Sequence, residues 1–168
     1  MVKVLVPSSP GQLDQVRDLM RAFVAWHRRC HTHDLRLIDD YFDANAFEHE
    51  LRTLPGRYAP PEGALLLAVV GAEPAGCVAL RRIDARACEM KRMFLYPRFH
   101  GQGIGSALGE AIIRAGKALG YSVMRLDTST RQSEAQALYE KLGFQRIEPY
   151  YELPGALRDW LVFMELSL

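Results

Sequence analysis

Met93-Phe94-Leu95-Tyr96-Pro97-Arg98-Phe99-His100-Gly101-Gln102-Gly103-Ile104-Gly105-Ser106 decides the fold of this chain. An apolar stretch ends at a proline, a loop follows with glycines at 101, 103 and 105, and Ile104 opens a run with apolar residues at helical spacing up to Leu119. Strand, glycine loop and helix, in that order, build an anion site. Glycine tolerates positive φ and lets a ligand approach where a Cβ would collide. The first free N–H groups of the helix point at that ligand with the positive end of the dipole behind them, so a phosphate or diphosphate is the expected guest.

Spacing removes two of the loops that could look like this. A dinucleotide fingerprint needs G-x-G-x-x-G, yet counting from Gly101 the last position is Ser106, and counting from Gly103 it is Leu108. Asp127 imitates the ribose-binding acid of such a unit, but the loop is preceded by roughly a hundred residues with at least three strand candidates, whereas that unit opens its domain. A nucleotide-dependent oxidoreductase therefore requires a broken fingerprint. A P-loop fails outright: Gly116-Lys117 is followed by Ala118, has no glycine at 111 and lies inside a helical run.

The chain has 168 residues, one domain by length, enough to bury about 70% of its unfolded surface without a metal or disulfide. With 21 basic against 20 acidic residues the net charge is +1, which argues against a nucleic-acid or membrane-surface binder and makes any anion binding local. Cys30, Cys77 and Cys88 are an odd number without C-x-x-C spacing; they read as small core residues of a cytoplasmic protein. Ala64 to Val70, the longest apolar run, is far short of a membrane span, and the N-terminus lacks the apolar region of a signal peptide. His27, Cys30, His31 and His33 fit no tetrahedral zinc motif, so no metal is expected there; they flank a helix end.

Ser9-Pro10-Gly11-Gln12 carries the signature of a capped helix start, and the stripe Leu13, Val16, Leu19, Met20, Phe23, Val24 extends that helix to about residue 29. A second helix is expected from Asp39 to about Leu54, ended by Pro55-Gly56. Strands are expected at 2–6, 64–70, 76–83, 89–96, 121–127, near 144–148 and at 160–165, with helices at 104–119 and 133–142. The helix after the glycine loop is long enough to cross a sheet, so the strand from Tyr121 should lie parallel to the one before the loop.

Arg98-Phe99-His100-Gly101-Gln102-Gly103 meets the pattern of the acyl-coenzyme A loop of the GNAT N-acetyltransferase superfamily, which this chain resembles. Glu89 to Pro97 resembles that family's fourth strand, and Ala135 to Phe144 its A-x-x-L-Y-x-K-x-G-F segment, so the likeness covers residues 76 to 148. His100 stands where the longer form of the loop usually has Arg; Arg98 is positioned to supply that charge. The resemblance implies an α/β fold with a central mixed, mostly antiparallel twisted sheet of about seven strands flanked by about four helices. It implies acetyl-CoA as co-substrate, no metal, and a primary amine of a small molecule or peptide as acceptor, attacked directly in a ternary complex. It is compatible with a homodimer and implies neither a nucleic acid nor a membrane as partner. A non-catalytic acyl-CoA sensor is the alternative. Coenzyme contacts are implied for Phe94, Leu95, Tyr96, Arg98, His100, Gly101, Gln102, Gly103, Ile104, Gly105, Ser106, Gln132 and Tyr139. Gln132 stands where many relatives have Asn.

Acetyl transfer needs a neutral amine, and deprotonating one with a lysine-like pKa at pH 7 costs roughly 4.6 kcal/mol, so a base must help. Glu89 is the candidate, against the alternative of a solvated strand-end carboxylate pairing with Lys91 or Arg81. Tyr139 is the candidate acid for the departing thiolate, against the alternative of a core aromatic on the stripe Ala135, Leu138, Leu142. Tyr150 and Tyr151 either line the acceptor pocket or pack a loop, and Trp26 and Trp160 read as core or interface residues.

Overall fold

The computed structural model describes residues 1–168. Seven strands form one sheet: β1 (Val2–Leu5), β2 (Ala64–Val70), β3 (Glu73–Arg82), β4 (Ala87–Leu95), β5 (Val123–Ser129), β6 (Gln145–Ile147) and β7 (Leu161–Ser167). Their order is β1-β2-β3-β4-β5-β7-β6, and every neighbouring pair is antiparallel except β4 and β5. That exception is the crossover the glycine loop requires: α4 (Ile104–Ala118) carries the chain back across the sheet, and Gly120 at φ 91° turns it into β5.

Both faces are covered. On one, α1 (Pro10–Cys30), α2 (Leu35–Tyr41), α3 (Ala44–Arg52) and α6 (Gly155–Trp160) pack on Leu65, Leu67, Cys77 and Ala79. On the other, α4 and α5 (Ser133–Lys141) pack on Leu66, Ala68, Val78 and Leu80. The alternation follows the pleat. No helix is long and apolar enough to cross a membrane.

The seven strands fall within a few residues of the expected ranges, while the helices are six. The single helix expected over 39–54 is two, because α2 starts earlier and stops at Phe42, and Asp43 then caps α3 by accepting from the Ala46 N–H at 2.9 Å. The short α6 was not expected, although Pro154-Gly155 stands at its start. Cys77 and Cys88 are buried, but Cys30, at the end of α1, is exposed.

One irregularity positions the site. At Arg92 the backbone takes φ 58° and the β3–β4 register shifts between Cys77 and Ala79. The bulge reverses the alternation: Cys88 and Met90 face α4, whereas Phe94 faces α1 and stacks on Phe23 at 5.3 Å between centroids. A left-handed non-glycine residue costs about 1–2 kcal/mol. Arg92 offsets this with a bidentate pair to Glu50 of α3, at 2.8 and 3.1 Å, and by lying over the rings of Phe42 and Phe47.

Candidate active site

β4 and β5 are hydrogen-bonded only over Ala87–Glu89 and Val123–Arg125, and then part. From Met90 to Leu95 the edge of β4 that faces β5 has no strand partner. Beyond the split lies a groove of about 480 Å³ whose floor is β4 and the glycine loop and whose far wall is the start of α5. None of the N–H groups of Gln102 to Ser106 donates to an acceptor within the chain. Gly101 and Gly103 have φ 75° and 78°, and a Cβ built on either meets nothing within 4 Å, so the loop is strained for any other residue and open in front. Gly105 differs: its Cβ would sit 3.2 Å from Leu138, so it is small in order to let α4 and α5 approach.

Of the residues implied as coenzyme contacts, Phe94, Leu95, His100, Gly101, Gly103, Ile104, Gly105 and Gln132 line this groove. Gln102 and Ser106 offer backbone N–H groups from the same loop. Tyr96 packs its ring against Phe94, and the Arg98 guanidinium lies over Tyr96 and pairs with Glu73, so in this state its charge is directed away from the loop. Gln132 accepts from the Thr128 hydroxyl and the Ser129 N–H, which leaves its amide NH₂ free. Met93, from the same strand, also lines the groove, as do Trp26 and Arg131, which had no motif to mark them.

The split itself is a narrow cleft, with Lys91 on β4 and Asp127 on β5 facing across it, Nζ to Oδ2 3.9 Å, their side chains 9% and 1% exposed. Both Asp127 oxygens are used, one accepting from the Tyr41 hydroxyl and the other from that of Tyr151 at 2.6 Å. Lys91 donates to Tyr41 at 2.8 Å, and burial lowers its pKa from the ordinary lysine value despite Asp127. Glu89 sits where the strands close. It is buried, not solvated: one oxygen accepts from Arg81 Nε at 2.7 Å and forms an ion pair with its Nη2 at 2.7 Å, and the other accepts from the Tyr150 hydroxyl. Tyr150 and Tyr151 thus reach the cleft carboxylates, and burial raises both phenols above their usual range.

Tyr139 lines the cleft from α5 and makes none of the side-chain hydrogen bonds of the structure; burial, foremost, raises its phenol as well. His27, 1% exposed, does more than flank a helix end: it forms part of the cleft wall, with its Nδ1 2.6 Å from that of His31. Burial, with a smaller contribution from His31, lowers its pKa to about 4. No group of three or more His, Cys, Asp or Glu side chains is placed to hold a metal ion.

Residues 19–144 match the model of the Acetyltransferase (GNAT) family. The chain belongs to that family. It is 38% identical over 109 residues to an uncharacterized N-acetyltransferase of Schizosaccharomyces pombe, covering 64% of this chain and 67% of that one. It is 33% identical over 128 residues to the N-acetylaspartate synthetase of Danio rerio, covering 74% of this chain but 45% of the synthetase, so it spans under half of that relative. Among solved structures, the PaiA N-acetyltransferase of Thermoplasma acidophilum in complex with coenzyme A superposes with a TM-score of 0.71 at 19% identity, covering 100% of this chain and 99% of that one.

Proposed function

We propose that the protein transfers the acetyl group of acetyl-CoA to a primary amine by direct attack in a ternary complex. The observation that carries this reading is the parting of β4 and β5 between two cavities. The amide-lined groove lies on one side and shares Phe23, Met93 and Gln132 with the cleft; a cavity of about 670 Å³ lies on the other and shares Tyr41, Phe42 and Arg92 with it. A thioester and an amine can approach one point from opposite sides, which converts a bimolecular step into an oriented one.

On this reading the N–H groups of Gln102 to Ser106 hold the diphosphate, and the unpaired edge at Met93 and Leu95 takes the pantetheine amides. The neutral amine attacks the thioester carbonyl carbon, forming the N–C bond; the C–S bond then breaks and coenzyme A leaves. The amine proton goes to Glu89. Because both Glu89 oxygens are engaged, its route runs through the Tyr150 hydroxyl, which releases one proton as it accepts another. Tyr139, protonated at neutral pH, donates a hydrogen bond to the leaving thiolate. Its raised pKa makes it a stabiliser of the thiolate more than a full acid.

The exposed Cys30 and buried Cys77 and Cys88, all unpaired, suit a reducing cytoplasm. Thiol release from acetyl-CoA, measured against polyamines, amino acids, aminoglycosides and peptides, tests the reading together with calorimetry. Turnover with one of these amines supports it. Tight uptake of acetyl-CoA without release across the panel replaces catalysis by sensing, and no uptake at all removes the reading.

A further inference from the structure

The cavity on the acceptor side is lined by Arg57, Arg81, Arg92 and Tyr58, together with two carboxylates, Asp43 and Glu50. The carboxylates are spoken for. Asp43 caps α3, and Glu50 is held by Nε and Nη2 of Arg92. The cations are not fully matched. Arg92 makes no hydrogen bond from Nη1, Arg81 spends Nε and Nη2 on Glu89 and none from Nη1, and Arg57 is exposed with no ion pair. The Tyr58 hydroxyl is buried with no partner in hydrogen-bond geometry, and Arg92, Glu50 and Arg81 all lie near enough to act on it. Three guanidinium groups with free edges lining one cavity suit a single oxygen-rich anion, which takes charge-assisted hydrogen bonds from them.

We infer that this cavity binds the carboxylate of the acceptor, so that the amine acetylated belongs to an amino acid or another small amino-carboxylate. The inference rests on the proposed transferase reading and names its substrate class. Arg81 also holds Glu89, so a carboxylate on the free side of that guanidinium places the neighbouring amine at the closed end of the cleft, beside the base. A carboxylate also takes a planar guanidinium edge that a polyamine would be repelled from.

The test is calorimetric titration of the protein saturated with coenzyme A, using L-amino acids and, for each, its α-carboxamide. The expected result is at least tenfold tighter binding of one or more acids than of the matching amides. Tyr58→Phe, which removes a hydroxyl with no partner in the protein, and Arg57→Gln, at an exposed position, should each reduce that preference at least threefold while the protein still binds coenzyme A. Equal or weaker binding of every acid, or a preference untouched by both substitutions, overturns the inference. Neither outcome depends on turnover, so failure of the transferase reading, seen as absent thiol release, is read separately.

Discussion

His27 gives the acid sensitivity of the fold a definite size. Its ring is closed in by Trp160 at 5.5 Å, Phe23 at 6.2 Å and His31 at 4.5 Å between centroids, and the folded pKa is held at about 4 against 6.5 for a free imidazole. Between those values the unfolded chain binds a proton that the folded chain refuses, so stability present above pH 6.5 is lost as the pH falls toward 4. At 1.36 kcal/mol per unit, lowering the pH from 8 to 5 removes about 2 kcal/mol through this one side chain. His31, lowered in the same direction by burial, adds to the loss. For a chain of this size the loss corresponds to a Tm decrease of about 4–8 °C. Urea unfolding at the two pH values, on the wild type and on His27→Gln, measures it. The variant should lose about 2 kcal/mol less than the wild type over that interval; an equal loss in both refutes the assignment to His27.

Glu89→Gln, which removes the proposed base, should flatten the rise of kcat/KM with pH and lower it about 10²-fold or more, while Asp127→Asn leaves the shape of the profile intact; the reverse pattern would move the base to Asp127. Tyr139→Phe should lower kcat about tenfold or more with little change in the Kd for acetyl-CoA, and equal turnover in both forms would make the hydroxyl structural. Gly103→Ala should cost about 1–2 kcal/mol through its positive φ and weaken coenzyme binding by placing a methyl in front of the free N–H groups; unchanged affinity by calorimetry would move the diphosphate elsewhere. Hydrogen exchange at Met93 and Leu95 should slow when coenzyme A is added, and exchange that stays the same would place the pantetheine off this edge.

The loop half of the candidate site was legible because it is made of backbone. A loop that needs positive φ at 101 and 103 can hardly be written without glycine, and the helix behind it announces itself by period. The acceptor half is made of side chains from remote elements. Tyr41, Lys91, Asp127 and Tyr151 lie on α2, β4, β5 and the loop before α6, and no spacing links them. Asp127 even suggested a ribose-binding acid, since its distance from the glycines is the only thing the sequence states about it. The bulge at Arg92 was equally hidden. Strict alternation puts Phe94 on the same face as Met90, and nothing in Lys91-Arg92-Met93 marks the left-handed residue that turns Phe94 to the opposite one. Burial told a similar story at Glu89, where a charged residue at a strand start reads as solvated until Arg81 and Tyr150 are seen to enclose it.

Opening a sheet in its middle leaves two rows of backbone groups without partners, and an interior edge cannot be left that way cheaply. On the β5 side β7 occupies only the far edge, and Gln132 folds back to accept from the Ser129 N–H and the Thr128 hydroxyl just past the split. On the β4 side β3 likewise occupies only the other edge, so the row from Met90 to Leu95 has no strand partner. On the proposed reading the pantetheine arm of coenzyme A, which carries two amides, stands in for the missing strand along β4 while the diphosphate reaches the loop. On that reading one break in the ladder both offers an edge to the thioester and sets Lys91 and Asp127, buried residues that in a continuous sheet would be a closed cross-strand pair, on the two walls of the cleft.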